Sequence, residues 1–277
     1  MDLIKLSNIA IEAAQSAGKI IRQYMDDDNV QVEKKKGGTS FASQVVTEVD
    51  RACEKAILSH LQPTFEEDDL ALLSEETEDD GGRFEKDYFW CIDPLDGTLA
   101  FIHKRPGFSV SIALIARDGS PCIGVVLDPI KNDLYHAIKG VGAFKNGSPW
   151  KISYDNDHLT FVSDRMLKNT RHADRIRQLL DDKAKKLQLN GVKEISGSGA
   201  VLNGIIVLEN GPACMLKLPK KERGGGGIWD FAATACIFQE LGLKATNFEG
   251  GRLDLNRRDG IFMNHQGVFY ANFGKDQ

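Results

Sequence analysis

The chain has few of the features that mark secreted, membrane or nucleic-acid-binding proteins. Its 277 residues include five cysteines without CxxC spacing, and no apolar run approaches the ~18 residues of a membrane span. The N-terminus lacks the basic and then apolar order of a signal peptide. The formal net charge is −5, so no general attraction to nucleic acid or anionic membranes is expected. These absences favour a cytoplasmic protein with reduced thiols that binds neither a membrane nor a nucleic-acid polymer.

A cysteine or histidine nucleophile is also missing from the pattern. Four of the five cysteines lie in apolar surroundings, such as Phe89-Trp90-Cys91-Ile92, where nothing indicates a thiol of low pKa. The six histidines, His103 and His265 among them, are interpreted as surface or core residues. The chemistry of this chain is therefore expected to come from another residue type.

Helical and strand patterns mix along the chain, which predicts an α/β or α+β protein. Apolar residues recur at helical spacing over residues 3–25, and a second helix is predicted from about 47 to 61, before Pro63. The remaining predictions are strands at 70–73, 88–92, 108–116, 124–127, 159–164, 200–208 and 212–218, a hairpin turn at 140–147, and helices at 169–187 and 229–241.

The length and the 42% apolar content suffice for one large domain or two closely packed lobes. We predict an N-terminal α+β lobe over residues 1–150 and a C-terminal α/β lobe over residues 151–277, packed as one compact unit. The boundary is placed between residues 145 and 160. Residues 26–44 are predicted to be a strand edge or a mobile loop between two helices.

Acidic residues stand where apolar segments stop. Glu75 and Asp93 each follow a predicted strand, Asp96 comes shortly after, and Asp230 opens a predicted helix. Carboxylates at strand ends can converge while the backbone stays rigid, and hard cations such as Mg²⁺ prefer such oxygen ligands. The spacing therefore predicts a magnesium site, provided that these segments meet in the fold.

Each acid also has an ordinary structural explanation. Aspartate before proline or glycine is a common turn residue, which applies to Asp93 and Asp96. Glu75 could belong to a solvated face, Asp230 could cap its helix, and Asp50 could belong to a capping box. Taken together and in this order, the acids favour one shared site over separate explanations.

Two other acidic motifs do not fit the spacing. Haloacid-dehalogenase phosphatases use Asp-x-Asp near the first strand, whereas Asp93 and Asp96 are separated by two residues. A calcium-binding EF-hand needs oxygen ligands at alternating loop positions. Leu99, Phe101 and Ile102 occupy the stretch where such a loop would continue.

The motifs resemble a known family. Asp93-Pro94-Leu95-Asp96-Gly97-Thr98, preceded by Trp90, looks like the first signature of the inositol monophosphatase superfamily, and Ile228-Trp229-Asp230-Phe231-Ala232-Ala233 resembles the second. The similarity extends from the first helix to about residue 270. It implies a layered α-β-α-β-α sandwich of the inositol monophosphatase and fructose-1,6-bisphosphatase type, and Mg²⁺-dependent hydrolysis of a small phosphate ester. Members are often homodimers, so a homodimer is one assembly open to this chain.

The resemblance also implies a role for each matched residue. Asp50 and Thr98 would be catalytic, because Thr98 orients the attacking water that the metal ions activate and Asp50 hydrogen-bonds Thr98. The backbone N–H groups of Gly97 and Thr98 would hold the phosphate. Two or three Mg²⁺ ions are implied, and their ligands would be Glu75, Asp93, the Leu95 carbonyl, Asp96 and Asp230, with Glu76 near a weaker third ion.

Within the superfamily, the sequence looks most like the 3'(2'),5'-bisphosphate nucleotidase branch. The likeness rests on residues 72–76, residues 108–115 and Leu218-Pro219-Lys220 ahead of the glycine run 224–227. Leu99-Ala100 departs from the polar pair common in that branch. The expected substrate is adenosine 3',5'-bisphosphate.

Basic residues before Asp230 are the candidates for binding the second phosphate of such a substrate. Lys217, Lys220, Lys221 and Arg223 form this segment, and a solvated charged loop is the alternative interpretation. Arg223 stands at a spacing where inositol monophosphatases carry a glutamate, and the neighbouring Glu222 keeps that comparison open.

Ser198 lies in a segment that resembles the family's loop along the nucleoside or inositol side, although an ordinary polar turn would look the same. An inositol-1-phosphate or sugar-phosphate phosphatase, and an inactive metal-binding member of the fold, remain open as alternatives.

Overall fold

The computed structural model describes residues 1–25, 32–34, 45–164 and 172–274. The predicted loop at 26–44 therefore falls outside the described residues except for a short strand. The helices are α1 (Leu3–Met25), α2 (Glu48–Glu67), α3 (Thr98–Ile102), α4 (Ala173–Lys186), α5 (Ala200–Glu209) and α6 (Trp229–Glu240). The strands are β1 (Val32–Lys34), β2 (Val45–Thr47), β3 (Ala71–Ser74), β4 (Tyr88–Asp96), β5 (Ser109–Ala116), β6 (Pro121–Asp128), β7 (Asp133–Ile138), β8 (Gly142–Lys145), β9 (Ser148–Pro149), β10 (Leu159–Ser163), β11 (Val192–Ser196), β12 (Ala213–Lys217), β13 (Lys244–Thr246) and β14 (Val268–Asn272).

Two large sheets organise the chain. The first has the order β3-β4-β5-β6-β7-β8-β9, in which β3 and β4 are parallel and the other pairs are antiparallel. The second has the order β11-β10-β12-β14-β13, with β10 parallel to both β11 and β12. The chain passes from the first sheet to the second between Pro149 and Leu159.

Helices separate and flank the two sheets. Helices α1 and α2 pack on one face of the first sheet, where Leu6, Ile21 and Ile57 join the same buried core as Trp90. Helices α5 and α6 share a larger core with strands of both sheets, so they form the central layer. Helix α4 lies on the outer face of the second sheet. This order confirms the α-β-α-β-α sandwich that the resemblance implied.

Helix α2 continues beyond the predicted end and contains Pro63. A proline inside a helix removes one backbone hydrogen bond and costs about 3 kcal/mol. Leu61 and Thr64 flank it and are fully buried, and the Trp90 indole N–H donates to the Thr64 hydroxyl at 2.9 Å. Because these contacts fasten the last turn onto β4, the helix ends at Glu67 and not before the proline.

The strand predicted at 200–208 is wrong, because these residues form helix α5. Short apolar runs do not reveal their periodicity when every side is buried. Within this helix, Ile206 and Glu209 are the residues that are not buried. A helix enclosed between two sheets therefore has the same apolar texture as a buried strand.

Other sequence expectations hold in the described residues. All five cysteines are buried and free, as expected for reduced core thiols. Among the described residues, no helix has the length and apolar character needed to cross a lipid bilayer.

Gly124 on β6 provides a test of the central packing. A Cβ at this position would lie 2.2 Å from the Ala233 carbonyl oxygen of α6, which is backbone and has little room to move. We expect Gly124→Ala to lower the free energy of unfolding by about 1–3 kcal/mol, as overpacking does. Urea unfolding measures the change.

Gly18→Ala on α1 is the comparison variant, since its Cβ would meet the end of the Leu127 side chain, which can adjust its rotamer where a backbone carbonyl cannot. Alanine is also the better helix former, so this variant should stay within about 1 kcal/mol of the wild type. Equal destabilisation by both variants would contradict the assigned packing.

Candidate active site

An irregularity in β4 brings two aspartates to one side of the strand. Asp93 pairs with Ser111 of β5 and Asp96 pairs with Ser109, so β4 contains one extra residue between these pairs. Residues three apart on a regular strand point to opposite faces, and a bulge reverses this relation. The Asp93 Oδ1 atom accepts the Leu95 N–H at 3.1 Å, which fixes the bulge.

Asp230 reaches the same place from the first turn of α6. One carboxylate oxygen each from Asp93, Asp96 and Asp230 lie within 4.8 Å of one another. The Gly227 N–H donates to Asp230 Oδ2 at 2.7 Å and orients the carboxylate. Three of the predicted ligands are thus brought together by the fold, from segments more than a hundred residues apart.

Glu75 lies beside this cluster. It directly follows β3, and its N–H continues the ladder by donating to the Ile92 carbonyl of β4 at 3.1 Å. The side chain is half-buried. Its negative charge helps to raise the pKa of both Asp93 and Asp230.

Burial and mutual repulsion disfavour charge in the cluster. Burial, followed by the charges of Glu75, Asp96 and Asp230, raises the pKa of Asp93 well above its usual range. Burial is also the largest cause that raises the pKa of Asp230 to about 6. A divalent cation would remove this penalty, because it supplies the missing opposite charge.

Asp96 has a second function as the cap of α5. Its Oδ1 accepts the Ala200 N–H at 3.0 Å, and its Oδ2 accepts the Val201 N–H at 2.9 Å. Burial and the charge of Asp230 raise the pKa of Asp96, and they outweigh these bonds and the charge of Lys217, which lower it. Gly199 makes the contact feasible, since a Cβ there would lie 2.2 Å from Asp96 Oδ2.

The predicted Asp50–Thr98 pair is present. Asp50 is buried on α2, and the Thr98 hydroxyl lies 3.3 Å from its Oδ1 and 3.2 Å from the Leu95 carbonyl oxygen. Gly97 precedes Thr98 with a φ of +85°, and a Cβ there would lie 2.5 Å from the Gly107 carbonyl oxygen. Glycine is therefore required at this turn for both its conformation and its size.

The predicted substrate-binding side chains lie on two loops. Ser198 is half-buried in the turn before α5, with its carbonyl accepting the Asn203 side-chain N–H at 3.4 Å. Lys220 and Arg223 are exposed on the loop between β12 and α6. Asn264 anchors this loop, since its side chain donates to the Lys220 carbonyl at 3.1 Å.

Lys217 was predicted only as part of the basic segment, and the structure places it much closer to the carboxylates. It ends β12, its side chain is 15% exposed, and its Nζ lies 2.8 Å from Asp164 Oδ2. Its positive charge lowers the pKa of both Asp230 and Asp96. Lys217 shares the inward side of β12 with the core residues Ala213 and Met215, but the apolar Cys214 and Leu216 occupy the other side, so alternation along the strand did not reveal which way Lys217 points.

The glycine run before α6 is explained by the close approach of Gly226 to Asp230. Gly226 has a φ of +97°, and a Cβ at this position would lie 2.5 Å from Asp230 Oδ2. The chain therefore passes directly beside the carboxylate, which a larger residue would displace. Gly226, and with it the glycine run 224–227, is therefore part of the site.

The pKa shifts lead to a test of the cluster in the absence of metal. An unfolded aspartate has a pKa near ~3.9, and Asp230 reaches about 6 in the fold. The folded chain therefore binds more protons in this window, and the stability that these groups contribute is lost as the pH rises through it. Asp93→Asn removes one charge from the cluster. In EDTA, we expect the Tm of Asp93→Asn minus the Tm of the wild type to increase by about 3 °C or more as the pH rises from 4.5 to 7.

Thermal unfolding in EDTA across that pH range measures the effect. The exposed Asp155→Asn is the matched control and should follow the wild type. Excess Mg²⁺ should reverse the order, because the wild type has the more complete ligand set. A Tm difference that does not change with pH would contradict mutual repulsion in the cluster.

Comparisons with known proteins identify the family. The family model described as the inositol monophosphatase family matches residues 2–275. Inositol monophosphatase 3 from Solanum lycopersicum is 32% identical over 255 residues, which cover 91% of this chain and 89% of that protein. Histidinol-phosphatase from Chlorobaculum parvum is 30% identical, with 88% of this chain and 93% of that protein covered. The crystal structure of the extragenic suppressor protein SuhB from Bartonella henselae has a TM-score of 0.69 and 26% identity, and it covers 97% of this chain and 94% of its own. The chain therefore belongs to the inositol monophosphatase family of metal-dependent phosphatases.

Proposed function

We propose that this protein is a Mg²⁺-dependent phosphate monoester hydrolase that acts as a 3'(2'),5'-bisphosphate nucleotidase on adenosine 3',5'-bisphosphate. The observation that carries the proposal is the convergence of Asp93, Asp96 and Asp230 within 4.8 Å, with Asp93 and Asp96 buried and Asp230 half-buried. Buried carboxylates of this kind are retained where a cation compensates them. The five buried free cysteines support a cytoplasmic location.

The donor set fits magnesium. Glu75, Asp93, Asp96, Asp230 and the Leu95 carbonyl would be the ligands, and all of these are the hard oxygens that Mg²⁺ prefers. When bound, the metal ions supply positive charge for the phosphate and lower the pKa of water. No softer side chain is needed in the proposed set, which distinguishes it from zinc sites built on cysteine and histidine.

Thr98 and Asp50 orient the attacking water in this proposal. The Thr98 hydroxyl has one hydrogen but two acceptors in reach, Asp50 Oδ1 and the Leu95 carbonyl oxygen. If the hydrogen points to Asp50, the lone pairs of Thr98 Oγ1 are free to accept a hydrogen from water. That water then presents its own lone pair to the phosphorus atom.

The backbone at the start of α3 holds the phosphate. The first N–H groups of a helix have no intrahelical acceptor, so those of Gly97 and Thr98 can donate to phosphate oxygens. Gly97 and Thr98 are half-buried, so this stretch of backbone is partly accessible to a phosphate. The phosphate would thus lie between these N–H groups and the carboxylate cluster.

The remaining part of the substrate would lie toward the second sheet. Ser198, Lys220 and Arg223 are proposed to contact it, with the two basic residues on the exposed loop between β12 and α6. A nucleotide that carries a second phosphate offers this basic segment a counter-charge. An uncharged alcohol such as inositol offers only hydroxyl groups.

Hydrolysis of inositol 1-phosphate is the second candidate. It is favoured by the 32% identity to inositol monophosphatase 3 from Solanum lycopersicum over most of both chains. The two candidates share the phosphate and metal machinery and differ in the alcohol that leaves. Substrate choice therefore depends on the groups beyond the carboxylates.

A substrate panel separates the candidates. We expect faster phosphate release from adenosine 3',5'-bisphosphate than from inositol 1-phosphate, measured as kcat/KM with Mg²⁺ and lost in EDTA. Asp93→Asn should abolish release from both, and the exposed Asp155→Asn should behave as the wild type. Faster hydrolysis of inositol 1-phosphate would refute the nucleotidase assignment, and release by Asp93→Asn equal to that of the wild type would refute the site itself.

Thr98 gives a test of the water-orienting role. Thr98→Ala should lower kcat by about 100-fold with little change in KM, because it removes the group that positions the water and leaves the phosphate contacts in place. Thr98→Ser retains the hydroxyl and should keep most of the activity. Steady-state kinetics of both variants decide the matter, and an effect confined to KM would contradict the role.

A further inference from the structure

We propose that Glu54 is a positioning residue for magnesium binding, because it fixes the segment that carries Glu75 and Glu76. Glu54 lies on α2 and does not belong to the proposed ligand set, so it acts on the metal site through Glu75. Because Glu75 is a metal ligand only in the proposed function, the role of Glu54 rests on that function. It does not depend on which phosphate ester is the substrate.

The first support is a pair of hydrogen bonds to one oxygen atom. Glu54 Oε1 accepts the Ser74 hydroxyl at 2.5 Å and the Thr77 hydroxyl at 3.0 Å. Ser74 ends β3 and Thr77 follows shortly after, so the two bonds bracket Glu75 and Glu76. Since both hydroxyls reach the same atom, the chain between them must curve, and the structure has a bend there.

The second support is that α2 contacts the site at two positions. Asp50 and Glu54 are four residues apart on this helix, so they lie on the same face, one turn from each other. Asp50 Oδ1 lies 3.3 Å from the Thr98 hydroxyl. Ile57 of the same helix is fully buried, so core packing fixes the position of α2. One helix therefore holds both the residue that orients water and the segment that carries Glu75.

The third support is the kind of partner that Glu54 has. Within the part of the chain that the structure describes, its carboxylate accepts from hydroxyl groups and forms no ion pair. A hydrogen bond depends on direction as well as distance, so these contacts orient the segment. Ser74 is buried and Glu54 is half-buried, which limits the replacement of their bond by water. Partners that orient metal ligands typically contribute about 10- to 100-fold to metal affinity.

Calorimetric titration with Mg²⁺ in the absence of substrate tests this role. We expect Glu54→Ala to weaken Mg²⁺ binding by about 10-fold or more, because Glu75 is then no longer held in a fixed position. Alanine is a good helix former, so α2 should persist. Glu54→Gln keeps an oxygen that can accept both hydroxyls and should bind Mg²⁺ within about threefold of the wild type. The exposed Glu66→Ala on the same helix is the matched control and should bind as the wild type does.

Removal of the two hydroxyl groups approaches the same contact from the other side. The double variant Ser74→Ala, Thr77→Val should weaken Mg²⁺ binding as much as Glu54→Ala does. Adding Glu54→Ala to this double variant should cause little further loss, because the contact is already absent. Thermal unfolding in EDTA shows whether each variant is folded, and the rise in Tm on adding Mg²⁺ gives a second measure of metal binding.

The outcomes separate the role of Glu54 from the proposed function. Wild-type Mg²⁺ affinity in Glu54→Ala, or an equal loss in Glu66→Ala or Glu54→Gln, would overturn the positioning role and leave the phosphatase function intact. A loss that adds in full to that of the Ser74 and Thr77 substitutions would also overturn it. If the wild type binds Mg²⁺ but hydrolyses no phosphate ester, the proposed function fails, and the metal affinities still judge Glu54. A wild type that does not bind Mg²⁺ would overturn both.

Discussion

Negative charge buried in one place is the constraint on which this structure depends. Asp93, Asp96 and Asp230 are drawn together from two elements against both desolvation and mutual repulsion. Backbone N–H groups from α5 and from Gly227 and the ammonium of Lys217 offset part of that cost. The compensation is incomplete, since the pKa values of all three stay raised. A protein that keeps such an imbalance is adapted to bind cations.

The central helical layer, formed by α5 and α6, fixes the positions of the residues around the carboxylate cluster. Helix α6 supplies Asp230, and the N-terminus of α5 binds Asp96 of the first sheet. The same α5 carries Asn203, which supports Asp164 and through it Lys217 of the second sheet. Because both helices are enclosed between the sheets, their positions are set by the largest core in the molecule. The site therefore inherits its rigidity from the packing of these helices as well as from its own polar contacts.

Much of the site could be predicted from sequence, because its chemistry is concentrated in short motifs. The acids at the ends of β3 and β4 and at the start of α6 each stood beside an apolar segment, and such local signals survive without knowledge of the fold. The partners that complete the site gave weaker signals. The cap from Ala200 and Val201 was hidden because α5 was predicted as a strand, and a helix buried on all sides has no amphipathic pattern.

The position of Lys217 was hidden for a different reason. A lysine at the end of a strand has no local mark that separates a solvated residue from one turned inward. The distinction depended on Asp164, which follows β10, and on Asn203, which lies on α5. Pro63 shows the same limit in the opposite direction, since tertiary contacts at Thr64 carried α2 past a residue that ends most helices. Long-range contacts, and not local preference, decided each of these cases.

The close fit of glycines around the acids limits how this scaffold can diversify. Gly199 and Gly226 each leave less than 3 Å between a hypothetical Cβ and a carboxylate oxygen. An aspartate lengthened to glutamate would find no free volume there, and a bulkier neighbour could enter only by displacing a ligand. The carboxylate cluster thus has no room to grow. New substrate preferences in proteins built this way must arise at the rim, where loops such as residues 218–223 can change length and charge without disturbing the acids.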